Sequence, residues 1–268
     1  MPAQKVDLSA CSFIIPVRID SPERRENLFF TLAYLFNNFN TSVVVVEESG
    51  YPSLRWEFAG WDKSFLKYLH IPSASEFLHR TRALNVGATA ARSGVEIVVL
   101  HDTDVLLKRS QCQEAQNLIK NNLADAVLPY NGMFLNISRD WIHHIHHQDM
   151  NLDCLEGKDF ENLNTESVGG SIFVSRKRFE ELGRENENFI SWGFEDNERV
   201  ERYKKLGKRV LRAAGPLYHV DHPRGLNSAG GSIFYDWNKK ELDRIRNMSA
   251  QDLSSYIETW PWRTGRPS

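Results

Sequence analysis

Cysteine is scarce: Cys11, Cys112 and Cys154 are the only three in 268 residues, far apart and with no C-x-x-C pair. An odd, sparse set excludes a disulfide scaffold and points to a reducing compartment. An excess of one charge is lacking too, with 33 basic and 35 acidic residues for a net of −2. That balance excludes a general nucleic-acid binder. Long apolar runs are missing, and the N-terminal MPAQKVDLSACSFIIPVRID holds none long enough for a signal peptide or a transmembrane anchor. A cytoplasmic protein is expected, with any membrane contact confined to its periphery. The composition, 41% apolar and 25% charged, excludes a disordered chain. No linker-like segment interrupts residues 1–268, so one domain is expected.

Apolar segments alternate with helical patterns in the first half. Residues 12–17 (SFIIPV), 42–46 (SVVVV), 65–71 and 95–100 (VEIVVL) predict strands, dense in β-branched residues. Helices are predicted over 22–39, 80–91 and 113–122, with a short extended piece at 126–129. This alternation predicts an α/β fold with a mostly parallel central sheet flanked by helices. The second half is less regular. Residues 149–167 are polar and read as a loop, 171–174 as a strand, and 176–182 as a short helix. A helix over 196–206 should stop at Gly207, with Glu198–Arg202 and Glu201–Lys205 at i,i+4 spacing. Val210, Leu211, Leu217 and Tyr218 suggest one more strand, and 227–232 (NSAGGS) a mobile stretch. GGSIF occurs at Gly169 and again at Gly230, too short to establish a repeat.

Four features can carry chemistry. His101-Asp102-Thr103-Asp104 directly follows VEIVVL. Ligands of open α/β sheets bind beyond the carboxyl ends of strands, and carboxylates there suit Mg²⁺ or Mn²⁺ with a phosphate. A plain turn accounts for the same residues. In Tyr218-His219-Val220-Asp221-His222-Pro223 a histidine can complete the coordination of a metal on Asp104, although ordinary histidines in a surface turn fit as well. Pro223 argues against a helix here, so two ligands from this segment require a turn. Trp192-Gly193-Phe194 precedes Glu195 and Asp196: aromatic faces stack on sugars, and carboxylates accept sugar hydroxyls. The alternative for either acid is a helix cap. Arg18 and Arg80 are placed to meet a diphosphate, or are surface arginines. His143, His144, His146 and His147 lack acids or cysteines at ligand spacing and read as a solvated segment near the acceptor side.

Taken in order, these segments resemble GT-A fold glycosyltransferases, and most closely the β-1,4-galactosyltransferase family and its bacterial relatives. IPVR at Ile15 resembles that family's P-F-R, RTRALNVG at Arg80 its R-x-x-L-L-N-V-G, and HDTD its D-V-D. GGSIFVSRKRF resembles G-G-V-S-A-L-x-K-x-x-F, WGFED lies where the family has W-G-G-E-D, and its M-x-x-H pair falls on His219 and His222. The resemblance implies a Rossmann-like GT-A domain with a nucleotide-binding half over about 1–110 and an acceptor-binding, catalytic half over about 111–268.

The activity it implies is inverting, Mn²⁺-dependent (or Mg²⁺-dependent) transfer of galactose or N-acetylgalactosamine from a UDP-sugar to a glycan acceptor. Asp196 would be the general base and Glu195 would bind the acceptor sugar. Asp104, His222 and His219 would hold the metal, and Pro16, Arg18, Arg80, Asp102 and Thr103 the nucleotide. Trp192, Gly193, Phe194, Gly169 and Gly170 would line the sugar sites. Phe194 and His219 depart from the family's glycine and methionine, which implies a narrower pocket and a changed metal preference. A retaining N-acetylgalactosaminyltransferase-like enzyme, a non-catalytic sugar-nucleotide or glycan-binding module, and a metal-dependent phosphohydrolase remain as other readings.

Overall fold

A computed structural model describes residues 4–227 and 232–264. Residues 228–231, within the stretch expected to be mobile and at the start of the second GGSIF, lie outside the described residues. The chain begins with β1 (Val6–Val17), α1 (Pro22–Asn38), β2 (Phe39–Ser49), β3 (Leu66–Pro72), α2 (Arg80–Ala90) and β4 (Ile97–His101). Then come β5 (Val105–Leu106), α3 (Arg109–Lys120), β6 (Ala126–Leu128), β7 (Phe134–Ile137), α4 (Asp140–His147) and β8 (Glu161–Asn164). β9 (Ser171–Ser175), α5 (Arg176–Glu181), α6 (Glu195–Lys205), β10 (Val210–Arg212) and β11 (Leu217–Val220) follow. Helices α7 (Tyr235–Asn247) and α8 (Ala250–Glu258) were not expected from the sequence.

The central sheet has seven strands in the order β10-β6-β9-β4-β1-β2-β3. It is mainly parallel: Phe13 of β1 lies opposite Val43 of β2 and Val99 of β4. Only β9 runs antiparallel, to both β4 and β6. Successive residues of a strand face opposite sides. On one side of β1, Ile14 meets α2 so closely that a Cβ on Gly87 would stand 2.4 Å from its Cγ2. On the other, Phe13 reaches α1 through Phe39 and Tyr34, and Cys11 bonds Gln116 of α3. Both faces are thus covered, which is why β2 is apolar without alternation. All three cysteines are free, as the sequence implied.

A second sheet of four strands, β5-β11-β7-β8, stands beside the first. The single strand expected over residues 210–218 is two, one in each sheet. The turn between them places Gly215 at φ +89, a conformation natural to glycine. The polar loop 149–167 contains a 3₁₀ turn and edge strand β8. The four histidines lie on α4, exposed, while Ile142 and Ile145 bury its inner side. In α6, Glu198 and Arg202 pair as the spacing predicted, at 2.7 Å. Glu201 instead meets Arg246, and Lys205 donates to the carbonyls ending α7. Gly207, at φ +73, closes the helix as expected.

Candidate active site

Strands β3, β2, β1 and β4 lie side by side, so the strand order reverses between β1 and β4. In such sheets the crevice outside the carboxyl ends at that reversal receives ligands. Here β1 ends near Pro16 and β4 delivers Asp102, Thr103 and Asp104, all lining a cleft of about 300 Å³. His101 pins this tip: Nε2 donates to the Val105 carbonyl at 3.2 Å and Nδ1 accepts the Ser171 hydroxyl at 2.9 Å. Burial pushes its pKa down to about 4, so it is neutral.

One flank of the cleft can hold a cation. Ligand atoms of Asp104, His219 and His222 lie within 4.8 Å of one another, all buried. His219 projects from β11 and His222 from the irregular segment after it, which is not helical, as Pro223 implied. Nε2 of His222 is 3.2 Å from Asp104 Oδ2, and Nε2 of His219 is 3.9 Å from Oδ1. Both Nδ1 atoms are engaged elsewhere, at 2.9 Å from the Pro223 carbonyl and from Asn136 Oδ1. Asn136 uses its amide nitrogen on Glu161 and Asp221, so its oxygen is what faces His219. Each Nδ1 therefore carries a proton, and each Nε2 points toward the Asp104 carboxylate, as a donor when the ring is protonated and as a lone pair when it is not. Such an arrangement asks for a positive charge between them, a proton or a metal ion. Asp104 opposes its own burial with the His222 hydrogen bond and the charges of His219 and Arg24, which hold its carboxyl well below the usual range. The hydrogen bond that His222 donates to Asp104 raises His222, whereas burial lowers His219. Two imidazole nitrogens and a carboxylate fit a divalent transition ion.

The opposite flank holds the acids. Glu195 and Asp196 open α6, and Trp192 stands beside them in the lining, 40% exposed. Arg80 joins the flanks: it donates to Asp102 Oδ1 at 2.7 and 3.1 Å and faces Asp196 at 3.4 Å and Glu195 at 3.6 Å. The helix-cap alternative does not hold for either acid. Phe194 is the cap residue, with φ 72, and no side chain caps the first turn. Glu195 accepts instead from the Gly193 amide at 3.0 Å. Burial and the neighbouring Asp196 charge push Glu195 up to about 7. Burial also opposes the charge on Asp196, but Arg80 and Arg199 outweigh it and hold this carboxyl below its usual range.

Gly169 and Gly170 line the same cleft. Arg18, Gly193 and Phe194 lie outside its lining. Arg18 donates to the carbonyls of Glu48 and Ser75 and borders an adjoining depression with Asp20 and Asn227. Phe194 turns toward Tyr235, ring centroids 5.0 Å apart, so of the two aromatic residues just before the acids it is Trp192 that faces the cleft. The sequence reading missed Arg24, whose guanidinium is 3.5 Å from Asp104, as well as Asn136 and Arg199. Arg24 was findable from its place in the first turn after β1. Arg199 was findable as well, three residues after Asp196 on the same helix, whereas Asn136 has no local signal.

Residues 154–223, which contain both glycines, the acid pair and both histidines, match the family model described as the N-terminal domain of galactosyltransferase. TarS of S. aureus in complex with UDP-GlcNAc superposes with a TM-score of 0.58 at 11% identity, covering 94% of this chain and 72% of that one. TarS without that ligand gives 0.56 at 12% identity, covering 92% and 68%. The chain has a GT-A glycosyltransferase fold. A Drosophila β-1,4-galactosyltransferase 7 variant complexed with manganese, UDP-Gal and xylobiose gives 0.48 at 16% identity, covering 81% and 71%. No curated protein matches the chain. The matched segment thus holds both glycines, the acid pair and both histidines that build the cleft. Among the described residues no helix is long and apolar enough to cross a membrane.

Proposed function

We propose that the protein transfers a hexose, galactose or N-acetylgalactosamine, from a UDP-sugar to a glycan hydroxyl by a single displacement with inversion. The observation that carries this reading is the convergence of Asp104, His219 and His222 on one flank of a cleft whose other flank is Glu195 and Asp196. The UDP-GlcNAc held by the S. aureus neighbour supports a nucleotide-sugar donor.

The acceptor hydroxyl lies against Trp192, and Asp196 takes its proton as the oxygen attacks the donor C1. The bond from C1 to the diphosphate oxygen breaks, and UDP leaves. Asp196 suits this role because its two arginine partners keep it ionised. Glu195, with its raised proton affinity, keeps a proton to donate to an acceptor oxygen; neighbouring acids pushed apart in this way take different roles. Pro16, Arg24, Arg80 and Thr103 border the donor side. Asp104, His219 and His222 would hold Mn²⁺, with Mg²⁺ a poorer match to the imidazoles. When bound, the ion would neutralise charge on the departing diphosphate. Fixing both substrates in the cleft lowers the entropic part of the barrier.

The test is turnover of UDP-galactose and UDP-N-acetylgalactosamine against a glycan panel. Asp196→Asn should lose on the order of a hundredfold or more in kcat while still binding UDP. EDTA should stop the reaction and Mn²⁺ restore it, and the product should carry the inverted anomer by NMR. Wild-type turnover by Asp196→Asn would remove the base; full activity in chelator would remove the metal.

A further inference from the structure

The two carboxylate oxygens of Asp196 sit in unlike surroundings. Oδ1 accepts from Arg199 Nη1 at 2.8 Å and faces Arg80 Nη1 at 3.4 Å. Among the described residues no hydrogen bond reaches Oδ2. That oxygen lies over Gly169, where an added Cβ would stand 2.7 Å from it. Arg199 does not border the cleft: its side chain is 1% exposed, and so is that of Glu185. Its Nε donates to Glu185 Oε1 at 2.7 Å and its Nη2 to Oε2. A planar guanidinium gripped through two nitrogens cannot turn, so its remaining Nη1 arm has a fixed direction.

We infer that Arg199, clamped by Glu185, is a positioning residue that holds Asp196 so that Oδ2 alone faces the acceptor, and that Gly169 leaves that oxygen room to receive the proton. This rests on the reading of Asp196 as the base. The terminal torsion of an aspartate is broad and two-fold, so an unanchored carboxylate would present either oxygen over a range of angles. A general base acts within hydrogen-bond reach of one proton, and loss of that alignment lowers turnover rather than donor binding. The charged and titratable groups around Asp196 are Arg80 from α2, Glu195 and Arg199 on α6, Asp102 after β4 and the Tyr130 hydroxyl. Only Arg199 is both cationic and outside the cleft, so changing it alters the base while leaving the ligand's own contacts in place.

The experiment measures kcat, the pH profile of kcat/KM and UDP affinity with Mn²⁺, using UDP-galactose or UDP-N-acetylgalactosamine and the best acceptor of a glycan panel. Arg199→Met should lower kcat about tenfold or more and leave UDP affinity unchanged. Its acid limb should move up by about one pH unit, because a cation has been taken from beside the base. Arg199→Lys keeps the charge but not the fork: kcat falls and the acid limb stays. Gly169→Ala should also lower kcat with the acid limb unmoved. An unchanged kcat and acid limb in Arg199→Met, or UDP affinity falling in step with kcat, overturns the inference. Should Arg199→Met fail to fold, the Arg199→Lys and Gly169→Ala variants decide, and wild-type kcat in both overturns it. Asp196→Asn separates the two ideas. Its retained turnover sinks the base itself; its inactivity beside fully active Arg199→Lys and Gly169→Ala sinks only the positioning.

Discussion

Glu195 and Asp196 are adjacent in sequence, yet burial and charge drive their proton affinities in opposite directions. Glu195 rises from 4.5 to about 7 in the folded chain. An acid raised by folding favours the native state at low pH, where it is protonated in both states. That contribution is lost as pH climbs from about 4.5 to about 7, because the unfolded chain ionises first. Glu195→Gln has no such proton, so the variant should gain on the wild type across this window, by up to about 3 kcal/mol above it. Urea unfolding of both proteins from about pH 4 to about pH 8 measures the difference. A difference that stays flat through the window would remove the raised affinity. The two acids could be read from the sequence as a motif, because WGFED kept both its order and its spacing. Their unequal affinities could not, since they depend on burial and on Arg80, which α2 brings to the pair only on folding, even though Arg199 stands at i,i+3 from Asp196.

Helix α2 is the element on which the donor side rests, because it carries Arg80 to Asp102. It lies flush on β1 and β2 only where Gly87 has no side chain: a Cβ would stand 2.4 Å from Ile14 Cγ2 and 2.9 Å from Val46 Cγ2. Both neighbours are β-branched residues on central strands, with little freedom to give way. Gly87→Val should therefore cost about 2–3 kcal/mol by overpacking, less a few tenths regained from helix propensity. Chemical denaturation measures the loss; a melting point at or above wild type would show that α2 can lift without cost. β2, β4 and the second half of β1 were legible because the core of a buried parallel strand is an apolar run, β3 from its leucines and isoleucine although it is a part-exposed edge strand, and α2 because alanines and Leu84 mark its inner side. β5 and β8 were not legible. They are two and four residues long, and their partners in β11 and β7 are remote in sequence. The same shortness hid the break at Gly215, where one apparent strand divides between two sheets. α4 escaped notice because its four exposed histidines mask the pair of isoleucines beneath.

The candidate metal site is also the seam of the molecule. Asp104 follows the central sheet at β4, whereas His219 belongs to β11 in the second sheet and His222 to the irregular segment beyond it. Arg24 reaches the same carboxylate from α1. On the proposed reading a cation bound there would link both sheets, and a diphosphate beside it would lie near Arg80 and, through Arg80, the acid pair. Ligands that bind only the native state raise its stability by mass action, by about 2.7 kcal/mol at a hundredfold excess over Kd. For chains of about this size each kcal/mol is worth roughly 2–4 °C, so Mn²⁺ with UDP should raise the melting temperature by about 5–10 °C. The combined shift should exceed the sum of the separate ones, since each ligand completes the other's site. His222→Ala should fold, because among the described residues the polar partners of its ring are Asp104 and the local Pro223 carbonyl alone. It should lose the shift with Mn²⁺ and the excess with both, while UDP alone keeps a smaller effect. Thermal melts of the two proteins with each ligand separately and together are the measurement. An equal Mn²⁺ shift in His222→Ala would move the cation elsewhere, and strictly additive shifts in the wild type would mean that metal and nucleotide do not share the cleft.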